Sequence, residues 1–181
     1  YGSRRKCEDI ITAGRVEVNK KIISIGMKAD PQKDSILVDG LPIQVTRQYK
    51  YILLNKPRGV ISSVKSQDGR SVARNLISIP GFFYPVGRLD YDSEGLMLFT
   101  NDGELTQRLT HPRHEHEKEY LVLVSTSPKE ELLQLWRSGI VLSDGYKTKP
   151  ASIRIIGTEN PGVWISVILN EGHKRQIREM G

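Results

Sequence analysis

The chain has a single cysteine, Cys7, in 181 residues. That excludes an internal disulfide and any zinc site built on several thiolates, and it suits a reducing, cytoplasmic setting. In its helical context Cys7 reads as a small buried hydrophobe rather than a catalytic thiol. No apolar run is long enough to span a bilayer, and no basic amphipathic helix carries aromatic anchors, so no membrane partner is expected. No secretory leader pattern is visible. Repeats and low-complexity tracts are missing too, which leaves one or two ordinary packed domains, each long enough to bury a core.

What the chain has in excess is positive charge. Lys and Arg number 27 against 21 Asp and Glu, for a net charge of +6 and a pI near 9.4. Moderate basicity is shared by many ordinary proteins, but an anionic partner, nucleic acid before membrane, is the expectation. Against that background one acidic stretch stands out. Gly87 to Leu105 (GRLDYDSEGLMLFTNDGEL) holds Asp90, Asp92, Glu94, Asp102 and Glu104. Three readings compete for it. Asp90-x-Asp92-x-Glu94-Gly95 copies the first half of an EF-hand loop, but the position that must supply a bidentate Glu is Asn101, and calcium is excluded. The second reading is a solvated turn beside a strand, which most acidic loops are. The third is one carboxylate held at a strand end as nucleophile or base. Residue chemistry alone favours the turn.

Periodicity and punctuation give an α+β chain. Ser3 is an N-cap candidate for a helix over 4–13 that stops at Gly14, followed by a short strand Val16–Val18 and a turn at 19–21. Ile36–Val38 and Leu41–Val45 read as a hairpin on an Asp39-Gly40 turn. A polar connection over 46–49 is the expected domain boundary, giving domains 1–46 and 50–181. Strands are expected near 50–55, 60–64, 95–100, 118–124, 151–156 and 163–169. Helices are expected near 71–77, 103–109 and 129–138, with Asn101 or Asp102 capping the second and Gly139 ending the third. Antiparallel strands with irregularly inserted helices predict a mainly antiparallel mixed sheet rather than a doubly wound one.

Five ordered blocks carry a family resemblance. They are Leu53–Gly59 (LLNKPRG), Gly87–Asp90 (GRLD), Phe99–Leu105 (FTNDGEL), Glu117–Val122 (EKEYLV) and Asn170–Met180 (NEGHKRQIREM). Together they resemble the RsuA/RluB type of pseudouridine synthase. The helix and short strands of residues 1–46 resemble the alpha-L RNA-binding motif through Ser3–Ile10 and Gly14–Asn19, with that domain's first helix missing. The start at Tyr1 without Met and the end inside a charged helical pattern predict an incomplete piece of a longer protein.

The resemblance implies an enzyme that detaches uracil from ribose, turns it and rejoins it through carbon. No redox change is involved, so neither cofactor nor metal is expected. A carboxylate beside the sugar, a surface for the loose base and a base for one proton are what the reaction needs. By resemblance the carboxylate is Asp90, and Arg178 is the cation opposite it. An Arg suits because a buried lone carboxylate tends to protonate and a guanidinium stays charged. Tyr120 resembles the tyrosine that stacks on the target base, and Arg88 the residue that fills the gap left by the flipped nucleotide. Outside the resemblance Tyr120 is an ordinary half-buried strand tyrosine and Arg88 a salt-bridge partner of Asp92 or Glu94.

Lys174 and Arg175 are expected on phosphate, with Lys118 the weaker candidate beside Tyr120. Lys56 and Arg58 flank Pro57 and are counted with the RNA-contacting set, although they look structural. Arg4, Arg5 and Lys6, helped by Arg15, Lys20 and Lys21, are expected on RNA phosphate rather than on a merely solvated face. His111, His114 and His116 with Glu115 and Glu117 fit no common zinc spacing and read as a solvated loop. The implied partner is ribosomal RNA or an assembling ribosomal particle, met by a monomer. The block from Leu142 to Ile153 looks closer to large-subunit than to small-subunit enzymes. The competing readings are a non-catalytic RNA-binding or ribosome-assembly protein on the same fold, and a metal-dependent nuclease, which a chelator would expose.

Overall fold

The structure, a computed structural model, describes residues 2–43, 48–66 and 68–181. Its elements in chain order are α1 (Arg4–Thr12), β1 (Val16–Val18), β2 (Lys21–Ile22), β3 (Ile36–Val38), β4 (Leu41–Pro42), β5 (Tyr51–Lys56), β6 (Tyr84–Val86), β7 (Gly95–Thr100), α2 (Gly103–Thr110), β8 (Lys118–Val124), α3 (Glu130–Ser138), β9 (Ser152–Glu159), β10 (Gly162–Leu169) and α4 (Gln176–Met180). Among the described residues these strands pair antiparallel, as the α+β pattern predicts. The chain divides into two compact units, 1–103 and 104–181.

The first unit holds two sheets. Ser3 caps α1 by accepting from the Lys6 amide at 3.3 Å, one of the orphan donors at a helix start. The helix lies in a layer with a four-stranded sheet ordered β2-β1-β3-β4. Ile10, Val16 and Val38 form its core. Asp39 and Gly40 both have positive φ, the geometry a two-residue hairpin turn needs. Asn19 and Lys20 do the same (φ 51° and 65°), so the turn predicted at 19–21 is a hairpin loop whose Lys21 already belongs to β2. The far end of the predicted 41–45 strand and the first half of the predicted domain boundary fall on 44–47, outside the described residues.

The second sheet, β5-β7-β6, puts β7 in the middle. Its alternation buries Met97 and Phe99 against Val60, Ala73, Ile77 and Phe83. Two expectations fail here. Residues 60–64 form no strand, making one isolated parallel bridge from Ile61 to Val72. Residues 71–77 give a 3-10 turn, Ala73–Leu76, and not an α-helix.

In the second unit β10 lies between β8 and β9 and is buried along nearly its whole length. A central strand covered on both faces reads as a continuous apolar run, and GVWISVIL is one. Leu133 and Trp136 of α3 pack on Ile153, Ile165, Val167 and Leu169. Gly139 ends α3 at φ 94°, and a Cβ there would run into the Thr148 carbonyl, so only glycine fits.

Candidate active site

The GRLD segment is anchored from two sides. Ahead of Asp90, the buried Ser62 hydroxyl donates to the Leu89 carbonyl at 2.6 Å and accepts from the Leu89 amide at 3.0 Å. Behind it, the Gly59 amide donates to the Tyr91 carbonyl at 2.9 Å. Lys56, at the end of β5 and 0% exposed, points its ammonium at three backbone carbonyls: Ser93 at 2.6 Å, Pro57 at 2.9 Å and Tyr91 at 3.4 Å. A buried ammonium without such acceptors would carry a heavy desolvation cost, so the loop backbone and the lysine hold each other in place. Between these ties Asp90 is exposed.

Two sequence expectations change. Lys56 lies wholly inside and is a support of the loop, not an RNA contact. Asp90 is solvent-facing, so the argument that a buried carboxylate needs rescue from protonation does not apply to it. Arg58 pairs with Glu94 at 3.5 Å, a contact between two exposed side chains worth little by itself. Arg88 is exposed beside Asp90 and follows Gly87, whose φ of 81° opens the loop. Arg70 stacks its guanidinium over the Tyr91 ring at 5.3 Å while paired with Asp68. Arg70 in turn holds the Asp68 carboxyl down at about 2. This neighbour of the loop was not foreseen. Of the two residues expected as caps of α2, Asn101 accepts from the Lys50 amide and donates to the Gln48 carbonyl, while Asp102, directly before the helix, takes the Tyr51 hydroxyl.

In the second unit Tyr120 and Lys118 sit on β8, opposite Val167 and Leu169 of β10. Tyr120 shares the face of Val122 and Val124, which pack on the core. Its own ring stays 37% exposed, and burial pushes the phenol up from its ordinary value. Leu169 runs directly into the stretch 170–178, so the β8–β10 pairing brings Lys118 beside it. A Cβ on Gly172 would touch the Lys118 side chain. Lys174, Arg175 and Arg178 are all exposed. Arg175 caps α4 in the left-handed region (φ 58°, ψ 19°), which a side chain enters only when its surroundings insist. Gln176, 3% exposed, takes the His173 amide on its side-chain oxygen and gives its NH2 to Glu171.

Arg4, Arg5 and Lys6 project from α1, with Arg4 paired to Glu8 at 3.0 Å. The three histidines form a compact turn: His114 stacks on His116 at 5.9 Å, and His116 reaches the Arg108 carbonyl at 2.7 Å. Burial, followed by the neighbouring cations and histidines, lowers the His114 pKa. Among the described residues no group of His, Cys, Asp and Glu is arranged to hold a metal.

The profile of the RNA pseudouridylate synthase family matches residues 50–180. Over 97% of its length the chain is 42% identical to an RNA pseudouridine synthase of Aquifex aeolicus (strain VF5), covering 71% of that protein. Over 98% it is 41% identical to ribosomal large subunit pseudouridine synthase B of Bacillus subtilis (strain 168), covering 73%. A crystal structure of a pseudouridylate synthase superposes with a TM-score of 0.62 at 28% identity, covering 98% of this chain and 76% of that one. The chain belongs to the RNA pseudouridylate synthase family. It is an enzyme that isomerises uridine to pseudouridine in RNA.

Proposed function

We propose that this enzyme converts one or a few uridines of ribosomal RNA, in the large subunit, with Asp90 as the reacting carboxylate. The anchored GRLD loop is the observation that carries the reading. Ser62, Gly59 and Lys56 fix the backbone on both sides of an exposed carboxylate, and that preorganisation suits a group that must meet the target nucleotide at one position. The likeness to a large-subunit synthase supports the choice of RNA.

In this reading Arg178 supplies the cation of the reaction and Tyr120 the surface on which the flipped uracil rests, its phenol protonated at neutral pH. Arg88 fills the vacated stack. Lys118, Lys174 and Arg175 meet phosphate. Arg4, Arg5 and Lys6, on the α1 layer, add affinity that is independent of sequence. The test is a map of pseudouridines in ribosomal RNA from cells with and without the gene. One or a few large-subunit positions should lose the modification, and the protein should restore them. A loss confined to small-subunit or transfer RNA overturns the substrate.

A further inference from the structure

Ile177 and Met180 pack the end of the basic stretch leaving β10 onto the core of its unit, and its polar fastening centres on one carboxylate. Glu171 accepts from the Tyr146 hydroxyl at 2.7 Å, the Lys149 amide at 2.9 Å and the Gln176 side-chain NH2 at 2.8 Å. Two of these donors come from the 142–149 hairpin and the third from the first residue of α4. Around that hub the His173 ring lies flat on Tyr146, with centroids 4.2 Å apart and planes 2° from parallel. The far nitrogen of His173 meets Asp144 at 2.7 Å. Ser143 reaches Glu179 at 2.7 Å, tying the same hairpin to the other end of α4.

This fastening falls on either side of a residue with left-handed backbone. Arg175 sits at φ 58° between His173 and Gln176, and both neighbours are held, His173 by stacking and Gln176 by burial and by Glu171. An arginine in the left-handed region is strained, and it persists where the flanks leave no alternative. If the flanks relax, Arg175 returns to ordinary backbone and the direction in which α4 presents Arg178 changes with it.

We propose that Glu171 is a positioning residue for catalysis. It clamps the 142–149 hairpin onto the 173–178 turn, and that clamp sets the aim of Arg178 and Arg175. The inference rests on the reading above in which Arg178 serves the reaction.

The experiment measures single-turnover pseudouridine formation on ribosomal RNA taken from cells lacking the gene, together with RNA affinity and thermal midpoint. Glu171→Ala should slow the single-turnover rate roughly 10- to 100-fold, the scale of an ångström of misplacement. RNA affinity should fall no more than a few-fold, with a folded thermal transition. Glu171→Gln keeps two acceptor contacts and the shape, and should recover most of the rate. Tyr146→Phe removes one donor but keeps the ring on His173, and should cost about 3- to 10-fold, the worth of one hydrogen bond. It serves as the test should Glu171→Ala fail to fold. The double variant Glu171→Ala/Arg178→Ala should be no slower than Arg178→Ala, which loss of general stability would not produce.

An unchanged rate in Glu171→Ala beside an inactive Arg178→Ala overturns the clamp and leaves the proposed function standing. An unchanged rate in Arg178→Ala removes the cation from the proposed function and the clamp with it. Additive losses in the double variant overturn the positioning role.

Discussion

The acidic loop 87–94 is tied down by a buried ammonium, whereas the basic stretch 171–178 is tied down by a carboxylate. In the first, Lys56 reaches three carbonyls and Ser62 grips Leu89 by both backbone groups. In the second, Glu171 gathers Tyr146, Lys149 and Gln176. Each stretch is fastened from below through the sign opposite to the charge it mainly displays at the surface. The two ties differ in what can loosen them. Lys56 is sealed from solvent and works on carbonyls, which do not titrate. Glu171 is only half-buried, and one of its donors is itself a titratable phenol.

The largest effect should come from the loop's displayed acid. Asp90→Asn keeps shape but removes the charge and the reactive oxygen, so pseudouridine formation should become undetectable. RNA binding, measured by filter retention, should survive or tighten. Asp92→Asn and Glu94→Gln should keep most activity. Conversion of uridine by Asp90→Asn would place the chemistry elsewhere.

Next comes the loop's support. Lys56→Met removes the ammonium and leaves buried carbonyls unpaired, costing about 3 kcal/mol or more by denaturant titration, and the rate should fall with it. Retained stability would mean that the loop holds itself.

On the basic side, Tyr120→Ala should lose about 1–3 kcal/mol of base stacking, while Tyr120→Phe should lose little. Equal damage from both would shift its role from the ring to the hydroxyl.

Acid should separate the two ties. Burial alone would raise the Glu171 pKa, but donation from Tyr146, Lys149 and Gln176, with the Lys149 charge, outweighs it and holds the carboxyl below its ordinary 4.5. The Lys149 ammonium is itself paired with Glu115. Asp144 is lowered too, by the Tyr146 amide and then by His173. A depressed carboxylate contributes stability that is complete above its ordinary value and is lost as pH falls through the folded value. Hydrogen exchange should therefore show amides of 171–178 opening below about pH 4.5, ahead of those of 89–93. The reverse order would contradict the comparison. The smallest effect on rate is expected from α1: replacing Arg4, Arg5 and Lys6 by Ala should lower the salt slope by roughly one unit per lost phosphate contact and leave single turnover unmoved.

The sequence showed the displayed residues better than the ties beneath them. Turn chemistry, capping and apolar alternation place α1, the Asp39-Gly40 turn, β5, β7, α3 and β10 within a residue or two. Pro85 hid β6, since a proline reads as a strand breaker. Ser62 lies in a β-branched segment that reads as a strand, yet its hydroxyl serves a loop 27 residues on. Lys56 looks like an exposed base beside Pro57, and only the tertiary fold reveals that its stem runs inward. Glu171 and Gln176 sit within a recognised block, but their partners Tyr146 and Lys149 lie more than twenty positions away, where no local period reports them.

Because Lys56 is sealed off, it offers a chemical gauge of the loop it supports. An amine-acylating reagent should label the exposed Lys118 and Lys174 within minutes and leave Lys56 untouched. Modification of Lys56 then requires the 90–94 turn to lift away, so its labelling rate, read peptide by peptide in a mass spectrometer, counts those openings directly. Bound RNA that quiets this signal would be pressing the turn shut.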